Sequence, residues 1–212
     1  MSSTPRHAFT PRPRRGLTVI ELMAVVAVVA VLAALAAPSL RGMLARQRVA
    51  AINAELVTDL QYARSEAVSR NREVYVTFRT APRVGSPLMT CYTIHTMGTV
   101  GTCDCRKPPG TACQNVAELI EIKTVQVLAT TDVALVPPAS PGNRVGFTGV
   151  QGLAFWSGHL PTDADYSTGW QDFLVGVESS ISGKLRTAIG IAGRPQVCSP
   201  DGSIGGATRC PE

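Results

Sequence analysis

Arg14-Arg15-Gly16-Leu17-Thr18-Val19-Ile20-Glu21-Leu22 is the stretch on which the reading of the whole chain turns. It closes a basic leader at Gly16 and opens an apolar run that continues to Ala37, interrupted only by Thr18 and Glu21. A helix that spans a bilayer needs about 20 such residues. The apolar core of a cleavable secretory signal is roughly 7–15 residues long and leads into a small-residue cleavage site. The run exceeds that core, yet it ends in Ala33-Ala34-Leu35-Ala36-Ala37, so a signal cleaved there stands as the alternative. Glu21 argues against it. A carboxylate at the centre of a membrane helix costs about 2.5–3.5 kcal/mol on insertion scales. A cut after Gly16 would give Leu17 a free amine, and the amine of a neighbouring subunit would then neutralise Glu21 during assembly.

Gly16-Leu17-Thr18-Val19-Ile20-Glu21-Leu22 resembles the class III signal of type IV pilins and type II secretion pseudopilins. The resemblance implies a prepilin peptidase that cuts after Gly16 and N-methylates Leu17. It makes Glu21 the carboxylate used in filament assembly and Pro38 the kink of the assembly helix. Leu17 departs from the Phe usual in that family. Further along, the stretch from Leu60 to Asn71, which includes Ala63-Arg64-Ser65-Glu66-Ala67, is similar to the helix end of GspH-type pseudopilins and FimT/FimU-type minor pilins. The implied partners are other pilins or pseudopilins, the peptidase and the inner membrane. The implied organisation is a leader over 1–16, a transmembrane and assembly helix over 17–45, and a periplasmic domain over 46–212. The pilus and the secretion system share this leader and helix, and the chain does not separate them.

The formal net charge of +5 invites a nucleic-acid partner. The leader carries four arginines (Arg6, Arg12, Arg14, Arg15) and no acid, so its removal lowers that value by four, to +1. Composition therefore gives no support for nucleic-acid binding.

Residues 17 to about 70 read as one helix, roughly 80 Å long at 1.5 Å per residue. Beyond Pro38 the pattern becomes amphipathic, with Ile52, Leu56, Leu60, Ala63 and Ala67 on one face. Pro38 removes a backbone donor and clashes with the preceding turn, so a kink is expected there. Short β-type runs then follow: 73–79, 91–95, 119–128, 133–136, 144–147, 153–156, 173–177 and 185–191. Gly, Pro, Asn, Asp and Ser separate them. The expected fold class is α+β: a long N-terminal helix packed on antiparallel β-sheets, pilin-like.

Six cysteines, Cys91, Cys103, Cys105, Cys113, Cys198 and Cys210, all lie beyond the apolar run. An even number in an exported domain reads as disulfides. Cys198–Cys210 is the first pair expected, since it encloses a Gly-rich loop. Cys91–Cys103 with Cys105–Cys113 is the expectation for the others. A zinc site formed by those four is the alternative, although paired CxxC spacing is lacking.

An enzyme needs a constellation, and none is present. The three histidines are His7, His95 and His159. There is no G-x-S-x-G elbow, P-loop or HExxH helix. No cofactor is implied. Asp163, Asp165 and Asp172 offer hard oxygen donors, but they do not complete an EF-hand loop. Trp156 and Trp170 read as core or subunit-contact aromatics. The tail carries Lys184, Arg186, Arg194 and Arg209. FimT-type pilins are associated with DNA through a Gly-Arg-x-Arg motif. Here Gly193-Arg194-Pro195-Gln196 lacks the second Arg. A minor (pseudo)pilin that primes or caps a filament is thus the leading expectation, and a DNA-binding minor pilin for uptake the alternative.

Overall fold

The computed structural model describes residues 16, 18–80, 89–96, 103–114, 118–128, 132–138, 143–156 and 172–210, the side chains of 36–39 excepted. These fall into two compact units that divide between Leu40 and Arg41. The kink expected at Pro38 lies among the excepted positions.

One helix, α1 (Val19–Arg70), is described in the first unit and continues into the second. Thr18 caps its start, accepting from the Glu21 amide at 3.3 Å. Asn71 closes its end in a left-handed conformation, φ 48°. The Asn71 amide donates to the Val68 carbonyl and the Arg72 amide to the Ala67 carbonyl, which satisfies two orphan carbonyls of the last turn. No single helix among the described residues is long and apolar enough to cross a membrane; the segments Val19–Leu35 and Leu40–Arg70 pass that test only together, by length and composition.

The second unit is an α+β arrangement. Its first sheet contains β1 (Val74–Arg79), β2 (Met89–Thr96), β3 (Glu121–Leu128), β5 (Arg144–Phe147) and β6 (Ala154–Phe155), in the order β3-β2-β1-β5-β6. The second contains β4 (Val133–Val136), β7 (Phe173–Ser179), β8 (Gly183–Ile189), β9 (Pro195–Ser199) and β10 (Thr208–Arg209), in the order β10-β9-β8-β7-β4. Every pairing is antiparallel except β9 with β10.

Between helix and sheets lies one apolar core. From α1 come Val49, Leu56, Leu60, Ala63 and Ala67, all with no exposed surface. Val74, Val76 and Phe78 alternate into it from β1, as the period of a strand requires, and Phe173, Val175 and Val177 do the same from β7. The stripe differs from expectation at one turn. Ile52 is only partly buried, while Val49 and the polar Asn53 occupy the inward positions. The alternate face of β1 also differs from a solvated one. Tyr75 is 4% exposed, with the Phe155 ring edge-on at 5.5 Å and the Arg144 guanidinium 4.7 Å from its centroid. Most expected strands agree to within two residues. The segments β9 and β10 were not expected, because Pro195 and the glycines after Cys198 read as loop.

Candidate functional site

The start of α1 is the first candidate. Gly16 and Glu21 are solvent-exposed, and Leu17 lies outside the described residues. Thr18, two apolar residues and Glu21 form the pattern of a capping box, a local signal not used in the sequence reading. The Thr18 half of that box is made. Among the described residues the Glu21 carboxylate has no hydrogen-bond or ion-pair partner. Along the helix through the first unit the large apolar side chains stand uncovered, from Val19 at 75% and Ile20 at 77% to Leu35 at 72% exposed. Within the first unit the helix buries none of its large apolar side chains, so its surface is apolar with one carboxylate near the N-terminal end.

The cysteines form a second candidate, now with their pairing settled. Cys198 is joined to Cys210. The other four pair as Cys91–Cys105 and Cys103–Cys113, which corrects the expected Cys91–Cys103 and Cys105–Cys113. The reason lies in β3. Gln126 pairs with Cys91 across the ladder, and its side-chain amide donates to the Cys105 carbonyl at 2.7 Å and the Lys107 carbonyl at 2.9 Å. That contact sets Cys105 beside Cys91. Cys103 and Cys113 then face each other in a one-pair antiparallel bridge. Both bonds consume all four sulfurs, so the zinc alternative is withdrawn.

Glu121 holds the same loop from the other side. Its carboxylate accepts from the amides of Gly110, Ala112 and Cys113 and from the Thr124 hydroxyl. Burial alone would raise the carboxyl pKa, but these hydrogen bonds outweigh it and hold Glu121 below the usual carboxylate range. The exposed tip, Pro108 to Thr111, is thereby fixed by two disulfides and one carboxylate.

The tail cations do not form one patch. Lys184 and Arg186 share the exposed face of β8, and Lys184 is paired with Glu178 at 3.2 Å. Arg209 lies across from the buried Ser199, whereas Arg186 lies across from Cys198, so the two occupy opposite alternations. Arg194 belongs to the turn between β8 and β9 and lines a cleft against α1. His95 is buried and accepts or donates only within the sheet, to Thr77 at 2.9 Å and to the Thr96 carbonyl at 2.9 Å. Trp156 is buried in the core. Asp172 is exposed just ahead of β7. His7, His159, Asp163, Asp165 and Trp170 lie outside the described residues.

Two polar groups inside the helix stripe escaped the sequence reading. Asp59, 4% exposed, receives the Tyr92 hydroxyl at 2.6 Å and lies 2.7 Å from Lys123 Nζ. Asn53, 3% exposed, accepts from the Thr187 hydroxyl at 2.9 Å. The signal was the spacing itself: 49, 53, 56, 60, 63 and 67 is an unbroken four-three alternation only if Asn53 is counted as inward.

Two family models match. The description "Type II transport protein GspH" covers residues 53–163, and "Prokaryotic N-terminal methylation motif" covers residues 11–37. No curated protein and no solved structure matches the chain.

Proposed function

The chain belongs to the GspH family of type II transport proteins, a minor pseudopilin or pilin, and from that premise we propose that it is cut after Gly16, methylated at Leu17 and assembled into a filament that it primes or caps. Hydrolysis of the Gly16–Leu17 amide leaves glycine as the new carboxylate of the leader and a free amine on Leu17. The mature subunit waits in the inner membrane, with residues 46–212 in the periplasm. The three disulfides support that side, because such bonds persist in oxidising compartments.

The observation that carries the reading is the uncovered apolar surface of α1 with Glu21 set into it. Lipid tails are as apolar as leucine, so moving that surface from lipid into a bundle of similar helices gains packing rather than hydrophobic transfer. The added term is pairing of Glu21 with a neighbour's Leu17 amine.

Mass spectrometry of the protein purified from its own cells tests the first step. A mature mass beginning at N-methylated Leu17 is expected. A chain that still begins at Met1, or one that begins at an alanine near residue 37, refutes it. Glu21→Ala then tests the second step: cleavage proceeds and filament incorporation fails. Normal incorporation removes the pairing role.

A further inference from the structure

Arg64 is built into the fold in a way its sequence position does not require. On α1 its neighbours at three and four residues are Leu60, Gln61, Ala67 and Val68, none of them acidic. Its stem packs against two residues in the left-handed region, Gly152 at φ 63° and Gly193 at φ 67°. A Cβ at Gly152 would lie 2.8 Å from Arg64 Cγ, and one at Gly193 would lie 2.5 Å from the Gly152 carbonyl oxygen. Only glycine at both positions lets the two turns close over this side chain. Arg64 Nε donates to the Gly152 carbonyl at 2.9 Å. Its two terminal nitrogens have no partner among the described residues.

Arg64 lines a cleft of about 740 Å³, together with Arg194, Gln61 and Gln151, against the apolar Val68 and Pro195. No carboxylate is among the described lining residues. A cleft of this size with a few polar groups on an apolar wall has the dimensions of a ligand site. Two arginines lining one cleft, with no acid among its described lining residues, repel each other until an anion enters.

We propose that this cleft receives an aspartate or glutamate side chain of a different protein subunit, with Arg64 as the fixed arm of a two-arginine clamp and Arg194 as the solvent-facing arm. Charge complementarity selects the partner. This chain's own described carboxylates are largely committed, as with Glu66 to Arg70, Glu55 and Asp59 to Lys123, and Glu178 to Lys184. Arg46, Arg48, Arg186 and Arg209, by contrast, have no ion pair among the described residues. Among its described residues a second copy therefore has few unpaired acids to offer, Glu21 being one, and an acidic partner has more. A planar carboxylate suits the guanidinium fork, which holds it through two parallel bonds. A nucleic-acid backbone needs a track of several phosphate contacts, and the other tail cations sit on different faces. The clamp belongs to the second unit and does not depend on cleavage after Gly16.

The test uses the full chain in detergent micelles, followed by the amide resonances of Gly152 and Gly193. The probes are a short end-blocked peptide with glutamates between leucines, its glutamine counterpart, inorganic phosphate and single-stranded DNA. The glutamate peptide shifts both resonances saturably, and the glutamine peptide does not. Arg194→Ala, at an exposed side chain that the core does not use, weakens that binding about fivefold, and Arg194→Lys weakens it less. Equal response to the two peptides, no saturable response, or unchanged binding by Arg194→Ala overturns the proposal. Tighter binding of DNA or of phosphate than of the glutamate peptide also overturns it, and makes the cleft a phosphate site.

Discussion

Two carboxylates on α1 have opposite surroundings. Glu21 stands exposed in a surface that is otherwise apolar, and nothing described pairs with it. Asp59 lies in the buried stripe and is held by Tyr92 and Lys123. Their chemistry is the same. An acid in a core must have its partners within the chain, because burial without them costs several kcal/mol. An acid left unpartnered in an apolar surface is free for a partner outside the fold, which is the ground for the assembly role proposed for Glu21, whereas Asp59 clasps helix to sheet.

The contrast can be broken by mutation, with the largest effect at Asp59. Asp59→Ala lowers unfolding free energy by about 3 kcal/mol, the low end for opening a buried pair because Lys123 keeps contact with water. Denaturant titration reads it directly. A loss no larger than that of an exposed helix position would show that the clasp is ornamental to stability. Tyr92→Phe removes only the hydroxyl donor. It costs about 1.5–3 kcal/mol, as a hydrogen bond to a charged acceptor does, and the two changes are less than additive because they share a partner.

A smaller effect separates the clasp from another buried titratable group, His95. Burial holds the His95 pKa below the usual histidine value, and the neighbouring Arg144 adds to this while the bond to the Thr96 carbonyl opposes it. A histidine held low contributes stability that is intact above about pH 6.5 and declines as pH falls toward the folded value. Thermal melts of the wild type should therefore fall more steeply across that window than those of His95→Gln. Parallel curves would exclude the histidine as the cause. The smallest effect closes the comparison. Glu21→Ala changes unfolding free energy by no more than about 0.5 kcal/mol, as for other exposed sites. A large loss of stability would mean that Glu21 has an internal partner after all.

How far the sequence carried the reading follows from the range of the forces involved. The helix was legible because its signals are local: an apolar run from Leu17 to Ala37 broken only by Thr18 and Glu21, then a three-four alternation to Ala67. The strand β1 was legible because Val74, Val76 and Phe78 alternate cleanly. The cysteine pairing was not legible. It is decided by Gln126, one strand away, which reaches the Cys105 and Lys107 carbonyls. Asn53 and Asp59 were hidden for a related reason. A polar residue in an apolar stripe looks like an interruption until its partners, Thr187 and Tyr92, are brought to it by strands far along the chain. The Arg64 cleft joins a helix, the turn after β5 and the turn before β9, and no window of sequence contains all three.

The three disulfides share one property with a consequence for how the chain matures. Their sequence separations are 14, 10 and 12 residues, and none joins one sheet to the other. The rings of Cys91–Cys105 and Cys103–Cys113 are short enough to close before the strands from β3 onward have emerged. Each restrains the unfolded chain by about 3 kcal/mol in the loop-entropy account. Oxidation is thus uncoupled from the slow meeting of distant strands. A reductant would reach the half-buried Cys198–Cys210 bond before Cys91–Cys105 and Cys103–Cys113, whose four cysteines are buried.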